Sequence, residues 1–227
     1  MAATTVPDAA ELGPTVVVRI AAALRADILS GVLAPGTPLR EEAVAARFGA
    51  SRHTVRAAFQ RLAVERLAVA EPFRGVRVVS FGPEEVRALQ QYRAALECEA
   101  VRIAAEAYGP SWPEAALAPA REALDRLAGL AEGGEASDDG DWLQAERAHA
   151  DFHHALVEAS GSPRLVEAHA ALGSELLLFL LHVRPHYALG DLAAEHRALL
   201  DDVQARGADA MREHLAHSTA LLLGNGG

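Results

Sequence analysis

Glu41-Glu42-Ala43-Val44-Ala45-Ala46-Arg47-Phe48, then Gly49-Ala50-Ser51, then Arg52-His53-Thr54-Val55-Arg56-Ala57-Ala58-Phe59-Gln60-Arg61-Leu62: this stretch decides the fold. It predicts a short helix over 41–48, stopped by Gly49, and a second helix opened by Ser51. Ser is a strong N-cap because its hydroxyl accepts one of the unpaired N–H groups at a helix start. Val55, Phe59 and Leu62 fall on one face, which must be the buried one. Helix, tight turn and helix make a helix-turn-helix, whose second helix enters the major groove of DNA. Burying Val55, Phe59 and Leu62 turns His53, Arg56 and Gln60 away from the core and leaves Arg52 on the flank. Arginine bonds guanine edges in pairs or holds a phosphate, and glutamine addresses adenine. Ser51 and Thr54, at the helix start, are placed to touch backbone phosphate.

On the N-terminal side, residues 15–30 read as a helix with Val17, Ile20, Leu24 and Ile28 on one stripe, stopped by Gly31. A connector rich in turn residues follows, from Gly31 to Leu39. On the C-terminal side, 67–71 and 76–80 read as two strands around Pro72-Phe73-Arg74-Gly75, a small hairpin or wing. Arg40, Arg74, Gly75 and Arg77 join the DNA-facing set, with Arg74 and Arg77 in reach of phosphates or the adjacent minor groove. Singly, each arginine reads as an ordinary solvated side chain; together with the capped helix and the hairpin they read as one surface.

The formal charge of −10 argues against nucleic acid until it is divided along the chain. Residues 1–80 hold 10 Arg against 7 Asp and Glu, a balance of +3; residues 81–227 hold 11 Arg against 24, a balance of −13. Only the first part sits comfortably on phosphate. There is no lysine, so arginine supplies every basic contact. The longest apolar runs are far short of the roughly 20 residues that span a bilayer. One cysteine, Cys98, excludes an internal disulfide, and no secretory signal is recognisable at the start, so the expectation is a cytoplasmic protein without membrane contact.

From Phe81 onward the pattern is helical: 83–108, 113–131, 141–160, 163–183, 189–206 and 208–223. The expected fold class is mainly α, a winged helix-turn-helix over 14–80 followed by an all-α bundle of about six helices over 83–223. Residues 1–13 read as frayed. Nine of the ten histidines lie between His149 and His217. His149 and His153 stand one helical turn apart beside Phe152 and Leu156. His196 lies in a stripe with Leu192, Leu199, Leu200 and Val203, and His214 lies among Met211 and Leu221. Imidazole is the commonest protein metal ligand, and bundles present ligands inward. A nitrogen-rich set favours a divalent transition metal, zinc first with nickel as an alternative, over magnesium or calcium. The bland alternative is a group of core histidines satisfied by hydrogen bonds. Arg93, beside its helix's buried stripe, can anchor an effector carboxylate by a paired contact or can form an ion pair with Glu97. His182 and His186, separated by Pro185, read as surface. Asp138-Asp139-Gly140-Asp141 reads as a solvated helix start and not a calcium loop.

Residues 14–80 resemble the winged helix-turn-helix of the GntR family of bacterial regulators. The resemblance rests on Ile28-Leu29-Ser30-Gly31-Val32-Leu33-Ala34-Pro35-Gly36-Thr37-Pro38-Leu39, on Ser51-Arg52-His53-Thr54-Val55-Arg56, on Leu62 and on Gly75. It implies a homodimer on an inverted-repeat operator in double-stranded DNA, with Arg52 and Arg56 reading bases. Phe59 replaces the usual leucine, and Arg66 stands where a glycine commonly precedes the leucine. Residues 83–220 resemble the FCD-type ligand-binding domain of the FadR subfamily, on Arg93-Ala94-Ala95-Leu96-Glu97, Phe152-His153, Glu158-Ala159-Ser160-Gly161, Glu195-His196 and His214-Leu215. That resemblance implies metal ligands at His153, His196 and His214. His149 occupies the place of the usual aspartate, and His217 is a reserve for His214. It also implies a small carboxylate effector at the metal. The expected function is a ligand-responsive regulator, a repressor by type, and not an enzyme. The competing readings are a metal-dependent enzyme using the buried histidines, which would leave 14–80 unexplained, and a regulator whose metal is purely structural.

Overall fold

The computed structural model describes residues 14–132, 139–183 and 188–224. The expectations for residues 1–13, for Asp138 and for the His182/His186 pair lie outside what is described, while Asp139 opens a helix, as expected of a helix start. The protein is mainly α: a winged helix-turn-helix precedes an all-α bundle, in two compact units, Met1–Val79 and Ser80–Gly227.

In the first unit, α1 (Val16–Leu29) is capped by Thr15 and buries Ile20, Ala21, Leu24 and Ile28. Helix α2 (Glu41–Phe48) ends on Gly49 in the left-handed region, φ 59°. Helix α3 (Arg52–Val64) buries Val55, Ala58, Phe59 and Leu62. Strands β1 (Pro38–Leu39), β2 (Ala68–Glu71) and β3 (Gly75–Val78) form an antiparallel sheet in the order β1-β3-β2. The sequence predicts the hairpin of β2 and β3 but not β1. Two residues are too few to leave an alternation, and Pro38, which has no N–H to donate, reads as a loop residue although it is tolerated on a sheet edge.

The end of α3 explains the missing glycine. Leu67 N–H bonds the Leu62 carbonyl at 2.9 Å and Arg66 N–H bonds the Ala63 carbonyl at 3.1 Å. These two bonds define the Schellman stop, which needs a left-handed residue at the position Arg66 holds, φ 54°. Leu62 and Leu67 are fully buried beside it. A left-handed φ costs a non-glycine residue about 1–2 kcal/mol, and glycine's greater unfolded-state freedom returns part of that. Arg66→Gly is therefore expected to stabilise this unit by about 0.5–1 kcal/mol, measured by urea denaturation; destabilisation would mean that the arginine side chain outweighs the strain.

The second unit holds α4 (Pro83–Tyr108), α5 (Glu114–Glu132), α6 (Asp139–Glu158), α7 (Pro163–Ala170), α8 (Gly173–Val183), α9 (Leu189–Arg206) and α10 (Ala208–Leu222). Helix α4 packs against α10 and α6, and α5 packs against α6 and α9. The main core joins Val101, Ala104, Leu124, Phe152, Leu156, Val203 and Met211. The single helix expected over 163–183 is instead two, α7 and α8. Leu172 N–H bonds the His169 carbonyl at 3.0 Å, one residue closer than the α pattern, and Gly173 follows. Glycine in a helix interior costs about 1 kcal/mol, which makes this the cheapest place to break. Among the described residues no helix is long and apolar enough to cross a membrane.

Candidate nucleic-acid interface and metal centre

The exposed face of α3 carries Arg52, His53, Arg56 and Gln60, with Thr54 half-buried beside its cap. Thr54 N–H donates to Ser51 Oγ at 3.1 Å, and the two hydroxyls lie 2.8 Å apart. That cap satisfies one of the unpaired N–H groups in the first turn of α3. Both Arg52 and Arg56 are held by acids of α2. Arg52 donates to Glu42 at 2.6 Å and Arg56 to Glu41 at 2.8 Å, and the Arg56 hydrogen bond holds the Glu41 carboxyl below its ordinary value. The sequence reading did not single out Glu41 or Glu42, since acids in a first helical turn are explained by the helix dipole alone.

Arg40, Glu41, Arg74 and Arg77 line a cleft of about 510 Å³ between the start of α2 and the wing. Arg74 is exposed and 3.7 Å from Glu71. Arg77 is half-buried and donates to the Gly36 carbonyl at 3.2 Å, so it also braces the wing against the connector. Gly75 is in the left-handed region at φ 80° and opens β3.

In the helical unit, α6 brings His149 and His153, and α9 brings His196, to one buried point. Their Nε2 atoms are separated by 2.7 Å (His149–His196), 3.1 Å (His149–His153) and 3.3 Å (His153–His196). The proton of each ring follows from its other nitrogen. His153 Nδ1 lies 2.7 Å from the Glu97 carboxylate, and His196 Nδ1 lies 2.7 Å from the Leu192 carbonyl. Both partners only accept, so both Nδ1 atoms carry the hydrogen. The two Nε2 atoms are then bare lone pairs facing each other across 3.3 Å. His149 Nδ1 has no hydrogen-bond partner among the described residues. Burial, reinforced by the neighbouring histidines and Arg93, holds His149 and His196 well below their ordinary pKa. Burial also lowers His153, to about 4, against the raising effect of Glu97. Neutral imidazoles converging through lone pairs are the state a metal requires. An ion about 2.1 Å from each nitrogen sets those nitrogens about 3.0–3.4 Å apart, so the trio needs to open by only a few tenths of an ångström.

His214 stands beside this trio without joining it. Its ring centroid is 4.7 Å from that of His196, and its Nδ1 lies 3.1 Å from Glu195. His217 is exposed. Arg93 is buried and engaged through two of its nitrogens: Nε donates to Glu97 at 2.8 Å and Nη1 to Gln90 at 3.0 Å. Nη2 is buried with no hydrogen-bond partner among the described residues.

Glu97 is the residue that sequence reasoning undervalued. It is fully buried and accepts from Arg93, from His153 and, at 3.3 Å, from His169 Nε2. Burial pushes its carboxyl up, but Arg93, His153 and the hydrogen bonds outweigh burial and hold it well below the usual carboxylate range. A carboxylate behind a ligating histidine fixes the ring's orientation and tautomer. His169 in turn meets His154, Nδ1 to Nδ1, at 3.1 Å. Only the i,i+4 spacing of Arg93 and Glu97 hinted at this hub; its long-range partners leave no local signal.

Comparison with known proteins agrees with these two units. Residues 17–78 match the family described as bacterial regulatory proteins, gntR family, and residues 88–220 match the FCD domain. The chain is 30% identical to a probable D-xylose utilization operon transcriptional repressor of Paenarthrobacter nicotinovorans, over 87% of this chain and 82% of that one. It is 28% identical to the HTH-type transcriptional repressor GlaR of Escherichia coli, over 85% and 89%. Among solved structures, a GntR transcriptional regulator from Rhodococcus sp. RHA1 superposes with a TM-score of 0.73 at 28% identity, covering 92% of this chain and 97% of that one.

Proposed function

The chain belongs to the GntR family of bacterial regulatory proteins and carries an FCD domain; from that premise, we propose that this transcriptional regulator is a dimeric, ligand-responsive repressor with a metal-centred sensing unit. Members of the family bind DNA and are not enzymes. In our reading Arg52, His53, Arg56 and Gln60 face base edges, and Ser51, Thr54, Arg40, Arg74, Gly75 and Arg77 hold the backbone. A homodimer sets two such helices about one DNA turn, roughly 34 Å, apart on an inverted-repeat operator. Acting on DNA, it works in the cytoplasm. The repressor assignment draws on the names of the two relatives.

The observation that carries the sensing half is the pair of bare Nε2 atoms of His153 and His196, 3.3 Å apart in a buried site. Two lone pairs at that distance repel unless a positive centre lies between them: the proton of His149 Nε2, 2.7 and 3.1 Å away, or a metal ion that takes its place. His149, His153 and His196 would hold a divalent ion such as zinc or nickel, and His214, one ring away, can turn from Glu195 to complete the set. The ion would supply positive charge that attracts a carboxylate. The unpartnered Nη2 of Arg93 offers a buried donor for the same anion. An effector changes DNA affinity only by binding two conformations unequally, and helices α4, α6 and α9, which meet at this point, are the elements such a ligand would move.

The test is metal content by mass spectrometry on untagged protein. The expected result is about one divalent ion per chain in wild type and none in His153→Ala or His196→Ala. A wild type free of metal after preparation without chelators sinks the sensing proposal and leaves an ordinary polar core. A metal-bound protein that unfolds on chelation favours a purely structural ion.

A further inference from the structure

We propose that Phe73, at the tip of the wing, is an apolar wedge that the protein sets into the minor groove of its DNA site. Glu71 pairs with Gly75 as the last rung of the hairpin, so Pro72, Phe73 and Arg74 form its loop. Arg74 N–H donates to the Glu71 carbonyl at 3.1 Å, which closes a four-residue turn. Proline at the first central position and φ 64° at Phe73 make it a type II turn, whose second central position favours glycine. The chain puts an aromatic ring there instead. Phe73 is fully exposed, the most exposed large apolar side chain among the described residues.

Two costs therefore meet at one residue: a left-handed backbone on a bulky side chain, and an aromatic surface left in water. Arg66, the other non-glycine residue with positive φ among the described residues, closes a helix cap beside the buried Leu62 and Leu67. Phe73 has no comparable role within its own unit. An outside surface must cover it, and the neighbouring charges say which. Arg74 follows it directly, and Arg74, Arg77 and Arg40 line the cleft at the foot of the hairpin. Arginines on one side of an apolar tip suit phosphate rails on either side of sugar walls. The minor groove is about 6 Å wide, enough for a ring on edge, and phenylalanine is among the side chains known to wedge base steps there.

The inference rests on the DNA-facing reading of α3, so its test carries a control for that reading. An operator duplex is first selected from a random pool with the wild-type protein. Binding is then titrated by fluorescence anisotropy for wild type, Phe73→Gly and Arg56→Ala. Phe73→Gly is expected to hold or raise the unfolding temperature, because glycine suits the turn, yet to weaken operator binding about tenfold, the size of a lost aromatic contact to nucleic acid. A structural residue would move both quantities the same way. Replacing adenine by diaminopurine in the operator flanks adds a minor-groove amino group, and should weaken wild type while leaving Phe73→Gly unchanged. Wild-type affinity for Phe73→Gly, with Arg56→Ala defective, would overturn the wedge while keeping the recognition helix. Normal binding by both variants would overturn the DNA-facing surface itself. Insensitivity of wild type to diaminopurine, or a smaller assembly of Phe73→Gly in sedimentation, would place the ring elsewhere and overturn the proposal.

Discussion

Glu97→Ala should destabilise the helical unit by about 3–5 kcal/mol, the cost typical of removing one partner from a buried ion pair. The carboxylate is fully buried and accepts from three groups on three helices: Arg93 of α4, His153 of α6 and His169 of α7. Without it the Arg93 guanidinium keeps its charge in the core with only Gln90 as a partner, and two imidazole N–H groups lose their acceptor. Glu97→Gln keeps the shape while removing the charge, and is expected to recover part of the loss. Both tryptophans, Trp112 and Trp142, lie in the helical unit, so fluorescence during urea denaturation reports that unit alone. A loss below about 1 kcal/mol for Glu97→Ala would show that the network is not what holds these helices in register.

The second large effect is acid sensitivity of the protein kept in a chelator, with no metal bound. His149, His153 and His196 stay neutral in the folded unit to pH values well below 6.5, His153 to about 4, chiefly because burial penalises the charged form. In the unfolded chain the same rings take up protons near pH 6.5. Below that pH the unfolded state binds more protons, so stability falls as the pH falls; above it, these groups contribute no slope. Each histidine adds about 1.4 kcal/mol per pH unit where it is protonated only when unfolded, and three acting together give a slope of about 4 kcal/mol per unit. Glu97 acts in the same direction at lower pH, since its depressed pKa contributes stability that is lost as the pH drops through the folded value. Urea midpoints at pH 7.5, 6.5 and 5.5 measure the effect. Equal midpoints at all three would mean that the histidines are solvated in the metal-free protein.

How much of this was visible in the chain depends on range. The Ser51 cap, the stop at Gly49 and the burial of Val55, Phe59 and Leu62 are local chemistry, and the structure shows each of them. The convergence of His149, His153 and His196 followed from helical phase, because a histidine amid leucines has only the core to face. His214 shares that phase, but its nitrogen is set by Glu195 of a neighbouring helix, which periodicity does not report. Glu97 was visible only as the partner of Arg93; that it also anchors His153 and His169 depends on packing between segments 56 and 72 residues apart. Strand β1 and the break at Leu172 are too short to leave a pattern. Phe73 escaped for a different reason: a turn read by its proline and glycine hides the residue that breaks the turn's own rule.

The pairing of Arg52 with Glu42 and of Arg56 with Glu41 has a consequence in time. Facing base edges as proposed, the two arginines reach DNA only by letting go of α2. Exposed pairs of this kind are worth about 0.2–1 kcal/mol each, and the cost is the same whatever base lies beneath. A uniform cost cancels from the ratio of affinities for operator and random sequence, so it leaves the choice of site untouched. It shortens every stay instead. Two pairs re-forming together hasten departure from a random stretch of duplex by about two- to thirtyfold. Across a genome where nearly every encounter is with the wrong sequence, Glu41 and Glu42 set the pace of the search and not its destination.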